Sequence, residues 1–124
     1  MKHNPAFEQL CEVARKNIKE TAITEVKKLM DTNQLPLLID VREDHEWQKD
    51  HLPQAKHIGR GIIERDIETV VPDKTTTIIL YCGGGYRSVL AAENLAKMGY
   101  HNVISMAGGY RGWKEAGYPL ITTK

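Results

Sequence analysis

The chain has 124 residues, with 17 Lys and Arg against 16 Asp and Glu, for a formal net charge of +1 at pH 7. That length suits one domain, which closes its core without the help of a disulfide or a metal. The balanced charge speaks against a nucleic-acid groove and a polybasic membrane patch, and the two cysteines, Cys11 and Cys82, make neither a disulfide scaffold nor a zinc spacing.

The first element is a helix. From Pro5 to Glu20, Phe7, Leu10, Cys11, Ala14 and Ile18 recur at helical spacing, with Asn4 as N-cap and Pro5 at the first helical position. Cys11 lies on the apolar stripe and reads as a small buried hydrophobe rather than a redox partner. The charges from Arg15 to Glu20 read as a solvated helix face. Residues 1–21 form a helical extension in this reading, and residues 22–124 the main domain. Neither a leader-like apolar core nor a run long enough to span a bilayer is present, so a reducing cytoplasmic setting is expected.

Thr24 looks like the N-cap of a second helix over Glu25 to Asp31, which Thr32-Asn33-Gln34 breaks. Leu37 to Val41 is an apolar run with an acid near its end, as in a buried parallel strand. A short helix over Asp44 to Lys49, a turn at His51-Leu52-Pro53 and a weak strand at Lys56 to Gly59 follow. Gly61 to Thr69 reads as a helix, stopped before Pro72. Thr75 to Tyr81, β-branched and apolar, is the best strand signal in the chain. A helix over Val89 to Met98 ends at Gly99, a strand covers Asn102 to Met106, and Gly108-Gly109 opens a last helix through Trp113. Strands alternate with helices, which argues for an α/β layered domain around a mostly parallel sheet. Ligands of such sheets bind beyond the carboxyl ends of the strands.

Cys82 stands at such an end. Cys82-Gly83-Gly84-Gly85-Tyr86-Arg87-Ser88 joins the best strand to a helix. Gly83 to Ser88 can turn successive N–H groups inward to make an anion nest. The helix N-terminus and Arg87 add positive potential. All three favour a thiolate, the nucleophilic form of cysteine. Three glycines in a row are entropically costly, which argues against an idle turn. The loop lacks the Gly-Lys-Ser/Thr of a nucleotide-binding P-loop.

Four segments in order carry a resemblance to the rhodanese sulfurtransferases over about Thr24 to Pro119. They are Leu38 to Glu43 with Glu46-Trp47, His51-Leu52-Pro53-Gln54-Ala55, the Cys82 loop, and Gly108-Gly109-Tyr110-Arg111-Gly112-Trp113. Asp50 and Gln54 stand where the second segment usually has glycine. The resemblance implies a three-layer α/β/α fold around a five-stranded parallel sheet. It implies a ping-pong relay through a Cys82 persulfide, with a thiosulfate-like donor and a cyanide or thiol acceptor, a protein acceptor included. Gly83 to Arg87 would stabilise the persulfide through backbone N–H groups, and Arg87 would bind the anionic donor. No metal or organic cofactor is implied.

Four residues separate Cys82 from Arg87, the sulfurtransferase spacing. Phosphatases and arsenate reductases of similar fold have five, which speaks against that activity; it and a non-catalytic interaction module are the alternatives. Asp40 and Arg42 flank Val41 and share one side of a strand, which suits bracing of the active-site loop. Arg60, in Gly59-Arg60-Gly61, is a substrate-binding candidate by resemblance, and Tyr86 a residue of the pocket mouth. Trp47 and Trp113 read as packing residues, and His45, His51 and His57 as unrelated surface or turn histidines.

Overall fold

The computed structural model describes residues 3–122. In chain order its elements are α1 (Pro5–Arg15), β1 (Lys19–Thr21), α2 (Ile23–Asp31), β2 (Leu37–Asp40), α3 (Asp44–Lys49), β3 (Asp50–His51), β4 (Lys56–His57), α4 (Ile63–Val70), β5 (Ile78–Tyr81), α5 (Arg87–Lys97), β6 (Val103–Met106), α6 (Gly109–Glu115) and β7 (Ile121–Thr122).

Five strands form one sheet in the order β1-β6-β5-β2-β4, every neighbouring pair parallel. The expected parallel α/β sheet is therefore present, with helices on both faces. Alternation along the strands assigns the faces. Ile39, Ile78 and Leu80 point to the side where Ile63 and Ile67 of α4 and Ala91, Ala92 and Leu95 of α5 pack. Leu38, Ile79 and Tyr81 point to the other side, against Val26 and Met30 of α2 and Trp113 of α6. Because β5 is paired on both edges, all four of its residues are buried, which explains its unbroken apolar sequence.

The N-terminal segment departs from the sequence reading. The first helix stops at Arg15, and Lys19–Thr21 run as a strand beside β6, Lys19 opposite Ile104. Residues grouped by sequence with the helical extension thus supply the edge of the central sheet. Their side chains are mostly exposed, and an edge strand with a wet face can carry Lys-Glu-Thr. The second helix starts one residue before Thr24, with Ala22 at the N-cap position and no side-chain cap bond. β3 and β7 form a separate antiparallel pair, Asp50 opposite Thr122, which two-residue strands do not announce in sequence. Among the described residues no helix is long and apolar enough to cross a membrane.

Candidate active site

β5 delivers Cys82 to the carboxyl edge of the sheet, where the residue is only 1% exposed. The chain then turns through Gly83 to Tyr86 and enters α5 at Arg87. Gly85 takes φ +94°, a left-handed value open to glycine at little cost. In that conformation its N–H donates to Cys82 Sγ at 3.2 Å. Ser88 Oγ lies 3.6 Å from the same sulfur and 2.8 Å from Ser105 Oγ of β6. The sulfur therefore has a backbone donor on one side and a hydroxyl pair on the other.

Groups from outside the loop tie down its carbonyls. Tyr110 and Arg111, at the start of α6, donate their N–H groups to Cys82 O (2.7 Å) and Gly83 O (2.9 Å). Arg15 Nη2 donates to Gly85 O at 3.2 Å, and the Cys11 thiol to Tyr86 O at 3.7 Å. These bonds fix the peptide planes around the thiol. Gly109 permits the α6 contact: it has φ +57°, and a Cβ there would lie 2.5 Å from Cys82 O.

Two guanidinium groups reach the loop. A Cβ on Gly83 would be 3.0 Å from Arg87 Nη2, and one on Gly84 would be 3.0 Å from Arg111 Nη1. Arg87 is already paired: Nη1 lies 3.0 Å from Glu46 Oε1 and Nη2 3.5 Å from Oε2. Glu46 is presented by a capping box on α3, its side chain accepting the Glu43 N–H at 2.9 Å. Burial disfavours the charge on Glu46, but the hydrogen bonds from Arg87 and the Glu43 backbone outweigh it and hold the carboxyl below its ordinary range. Burial likewise opposes the Arg87 charge, and the bond to Glu46 overrides it.

The thiol opens into a pocket of about 410 Å³ lined by residues from four places in the chain. Cys82, Gly83, Gly84, Tyr86 and Arg87 come from the loop and the start of α5, whereas Gly85 and Ser88, also read from sequence as substrate-binding, are not among the lining residues. Glu46, Tyr110 and Arg111 come from α3 and α6, and His3 and Phe7 from the N-terminal segment. The sequence reading named none of these last five as site residues. His3 and Phe7 pack against Tyr86, with ring centroids at 4.4 and 5.9 Å, so α1 is one wall of the pocket. The sole sequence signal was that Phe7 and Cys11 share a helical face. Cys11 is fully buried behind the loop, as a packing residue would be, and burial pushes its thiol up.

Asp40 and Arg42 do share a side, and both are buried. Arg42 Nη2 pairs with Asp40 Oδ2 at 2.7 Å and donates to Asp50 O at 2.6 Å. Tyr81 completes the cluster: its hydroxyl donates to Asp40 Oδ2 at 2.6 Å and accepts the Leu52 N–H at 3.1 Å. Burial and then Asp40 push the Tyr81 phenol far up. Tyr110 lies under Arg42 at 4.3 Å and donates to Asp50 Oδ2, and burial followed by that bond pushes its phenol up to about 12. The cluster thus grips the residue before Cys82 and a wall of the pocket, and among the described residues none of its bonds goes to the N–H groups of the loop.

Arg60 lies elsewhere, paired with Glu64 at 2.9 Å and not among the residues lining the Cys82 pocket. Trp113 is fully buried. Trp47 stacks with both His51 (3.6 Å) and His57 (5.1 Å), so two of the three histidines are related through one indole, contrary to the sequence reading.

Comparison with known proteins fits this geometry. Residues 22–116 match the family described as Rhodanese-like domain. YtwF of Bacillus subtilis (strain 168), provisionally named a sulfurtransferase, is 34% identical over 97 residues, covering 78% of this chain and 91% of YtwF. YrkF of the same organism, provisionally named a sulfur carrier protein, is 31% identical over 97 residues, 78% of this chain, and the chain spans about half (51%) of its length. Among solved structures, a thiosulfate sulfurtransferase from Pseudomonas aeruginosa superposes with a TM-score of 0.82 at 28% identity, over 96% of this chain and 23% of that one. RPA3614 of Rhodopseudomonas palustris, a protein of unknown function described as a possible tyrosine phosphatase, superposes with a TM-score of 0.85 over 98% of each chain. Its 22% identity carries a shared fold alone.

Proposed function

The chain belongs to the rhodanese-like family, and on that premise we propose that it is a sulfurtransferase working through a persulfide on Cys82. The observation that carries the proposal is the Cys82 sulfur itself, bonded by the Gly85 N–H at 3.2 Å and opening into a pocket that two arginines enter. The Cys82 thiolate attacks the outer sulfur of thiosulfate or of a persulfide donor. A new S–S bond forms, and the donor's own bond to that sulfur breaks. Sulfite, or the donor thiolate, leaves with the bonding electron pair. An acceptor thiolate or cyanide then attacks the terminal sulfur and returns Cys82 as thiolate.

Gly85 N–H and the Ser88 hydroxyl are the donors for the negative charge as it moves from Sγ to the added sulfur, in the manner of an oxyanion hole. Ser105, bonded to Ser88, orients that hydroxyl. Arg87, fixed by its pair with Glu46, lies beside the loop. The relay requires no metal or organic cofactor, and its partners are an anionic sulfur donor and a thiophilic acceptor, small or protein-borne. The four residues between Cys82 and Arg87 favour this chemistry over phosphate-ester hydrolysis.

The test is intact-mass measurement on wild type and Cys82→Ser after incubation with thiosulfate and with glutathione persulfide. The expected result is one added sulfur atom on wild type and none on the variant. Sulfur retained by Cys82→Ser, or none on wild type with either donor, sinks the proposal.

A further inference from the structure

The two arginines at the pocket are not electrically equivalent. Arg87 faces Glu46 through both terminal nitrogens, so the pair presents little net charge to an incoming anion. Arg111 reaches the same loop from α6, with Nη1 3.0 Å and Nη2 3.5 Å from the position a Cβ on Gly84 would take. It lines the pocket, and among the described residues no carboxylate pairs with it. Its backbone N–H is spent on Gly83 O, which anchors the base of the side chain directly beside the loop. Gly83 and Gly84 have no side chains to stand between that guanidinium and a molecule approaching Cys82.

We infer that Arg111 is the residue that reads donor charge: it supplies the unneutralised positive group that draws a dianionic donor such as thiosulfate to Cys82. The inference rests on the proposed sulfur-transfer reading and deepens it by assigning donor specificity to a side chain outside the Cys82 loop. A guanidinium offers paired N–H donors suited to the oxygens of a sulfonate end. Donors with less negative charge gain less from the same contact, because Coulomb attraction scales with the charge it acts on.

The experiment is a charge ladder. The second-order rate constant for sulfur loading of Cys82 is measured by acid-quenched intact mass with two donors, thiosulfate (a dianion) and methanethiosulfonate (a monoanion). Wild type, Arg111→Gln and Arg111→Lys are compared at low and moderate salt. Losing one charge-assisted contact should slow Arg111→Gln about tenfold with thiosulfate and only about threefold with the monoanion. Arg111→Lys, which keeps the charge but not the paired donors, should recover part of the loss, and the salt dependence with thiosulfate should weaken in Arg111→Gln. A merely structural role would slow both donors equally and leave the salt dependence intact, which overturns the inference. An Arg111→Gln rate equal to wild type with thiosulfate overturns it too. Both of these outcomes leave the sulfurtransferase reading standing, because wild type still loads. Failure of wild type to load from either donor overturns that reading, and the inference with it.

Discussion

Replacing Gly109 by Ala tests how α6 holds the active-site loop. The residue has φ +57°, where an L side chain costs about 1–2 kcal/mol. The added Cβ would lie 2.5 Å from Cys82 O and 2.9 Å from Gly83 O, well inside contact distance and against backbone that cannot swing aside. Relief requires α6 to back away, which weakens the bonds from Tyr110 N–H and Arg111 N–H to those two carbonyls, each worth about 1 kcal/mol net. The sum is on the order of 3 kcal/mol, or roughly a 10 °C drop in melting temperature for a domain of this size. Gly117→Ala is the internal control, since φ there is +76° but a Cβ would meet nothing within 4 Å. It should cost only the conformational part, about 1 kcal/mol, and leave sulfur loading unchanged. Thermal melts followed by circular dichroism, with sulfur loading measured in parallel, read both effects. If the two variants melt together and load alike, the contact at Gly109 does not hold the loop and the reasoning fails.

Tyr81→Phe removes a hydroxyl that is donor to Asp40 and acceptor for Leu52 N–H inside the core. It should lower stability by about 2–4 kcal/mol in urea unfolding, and a loss below about 1 kcal/mol contradicts the bracing role. Glu46 supplies a pH dependence. Its carboxyl is held below the ordinary range in the folded state, so the stabilisation from its pair with Arg87 is complete above the ordinary glutamate value. It is lost as pH falls through the lowered folded value. Glu46→Gln should therefore melt below wild type near neutrality, with the gap closing in acid. A gap that stays constant through the carboxylate range rules that coupling out.

The reach of the sequence followed the range of the interactions. The placement of Cys82 was legible because it is written in contiguous residues: an apolar strand, three glycines and an arginine before a helix. Asp40 and Arg42 were legible as partners because strand alternation puts them on one side. Asp50 and Tyr110, which complete their cluster, were not, since 60 residues separate them. Glu46 lay in a correctly read helix, but its pairing with Arg87 crosses 41 residues, and no local rule encodes that. Arg111 stood inside a recognised segment as an unremarked position. β1 was taken for helix because Lys-Glu-Thr has no apolar alternation, and an edge strand with exposed side chains does not need one. Ser105 gave no signal, being a small polar residue whose role comes only from Ser88 beside it.

The docking of the N-terminal segment on the finished domain has a consequence for how the site comes into being. β1 hydrogen-bonds to β6, Arg15 to Gly85 70 residues later, and Cys11 to Tyr86 75 residues later. A chain emerging from the ribosome therefore carries its first helix without a docking surface until the second half of the sequence has been made. The carbonyls of Cys82 and Gly83 wait longer still, for α6. Contacts this distant in sequence form late, because the intervening chain must first lose its freedom. The thiol is thus made before its enclosure, and in a nascent chain the Cys82 loop stays unbraced until α1 and α6 have closed around it.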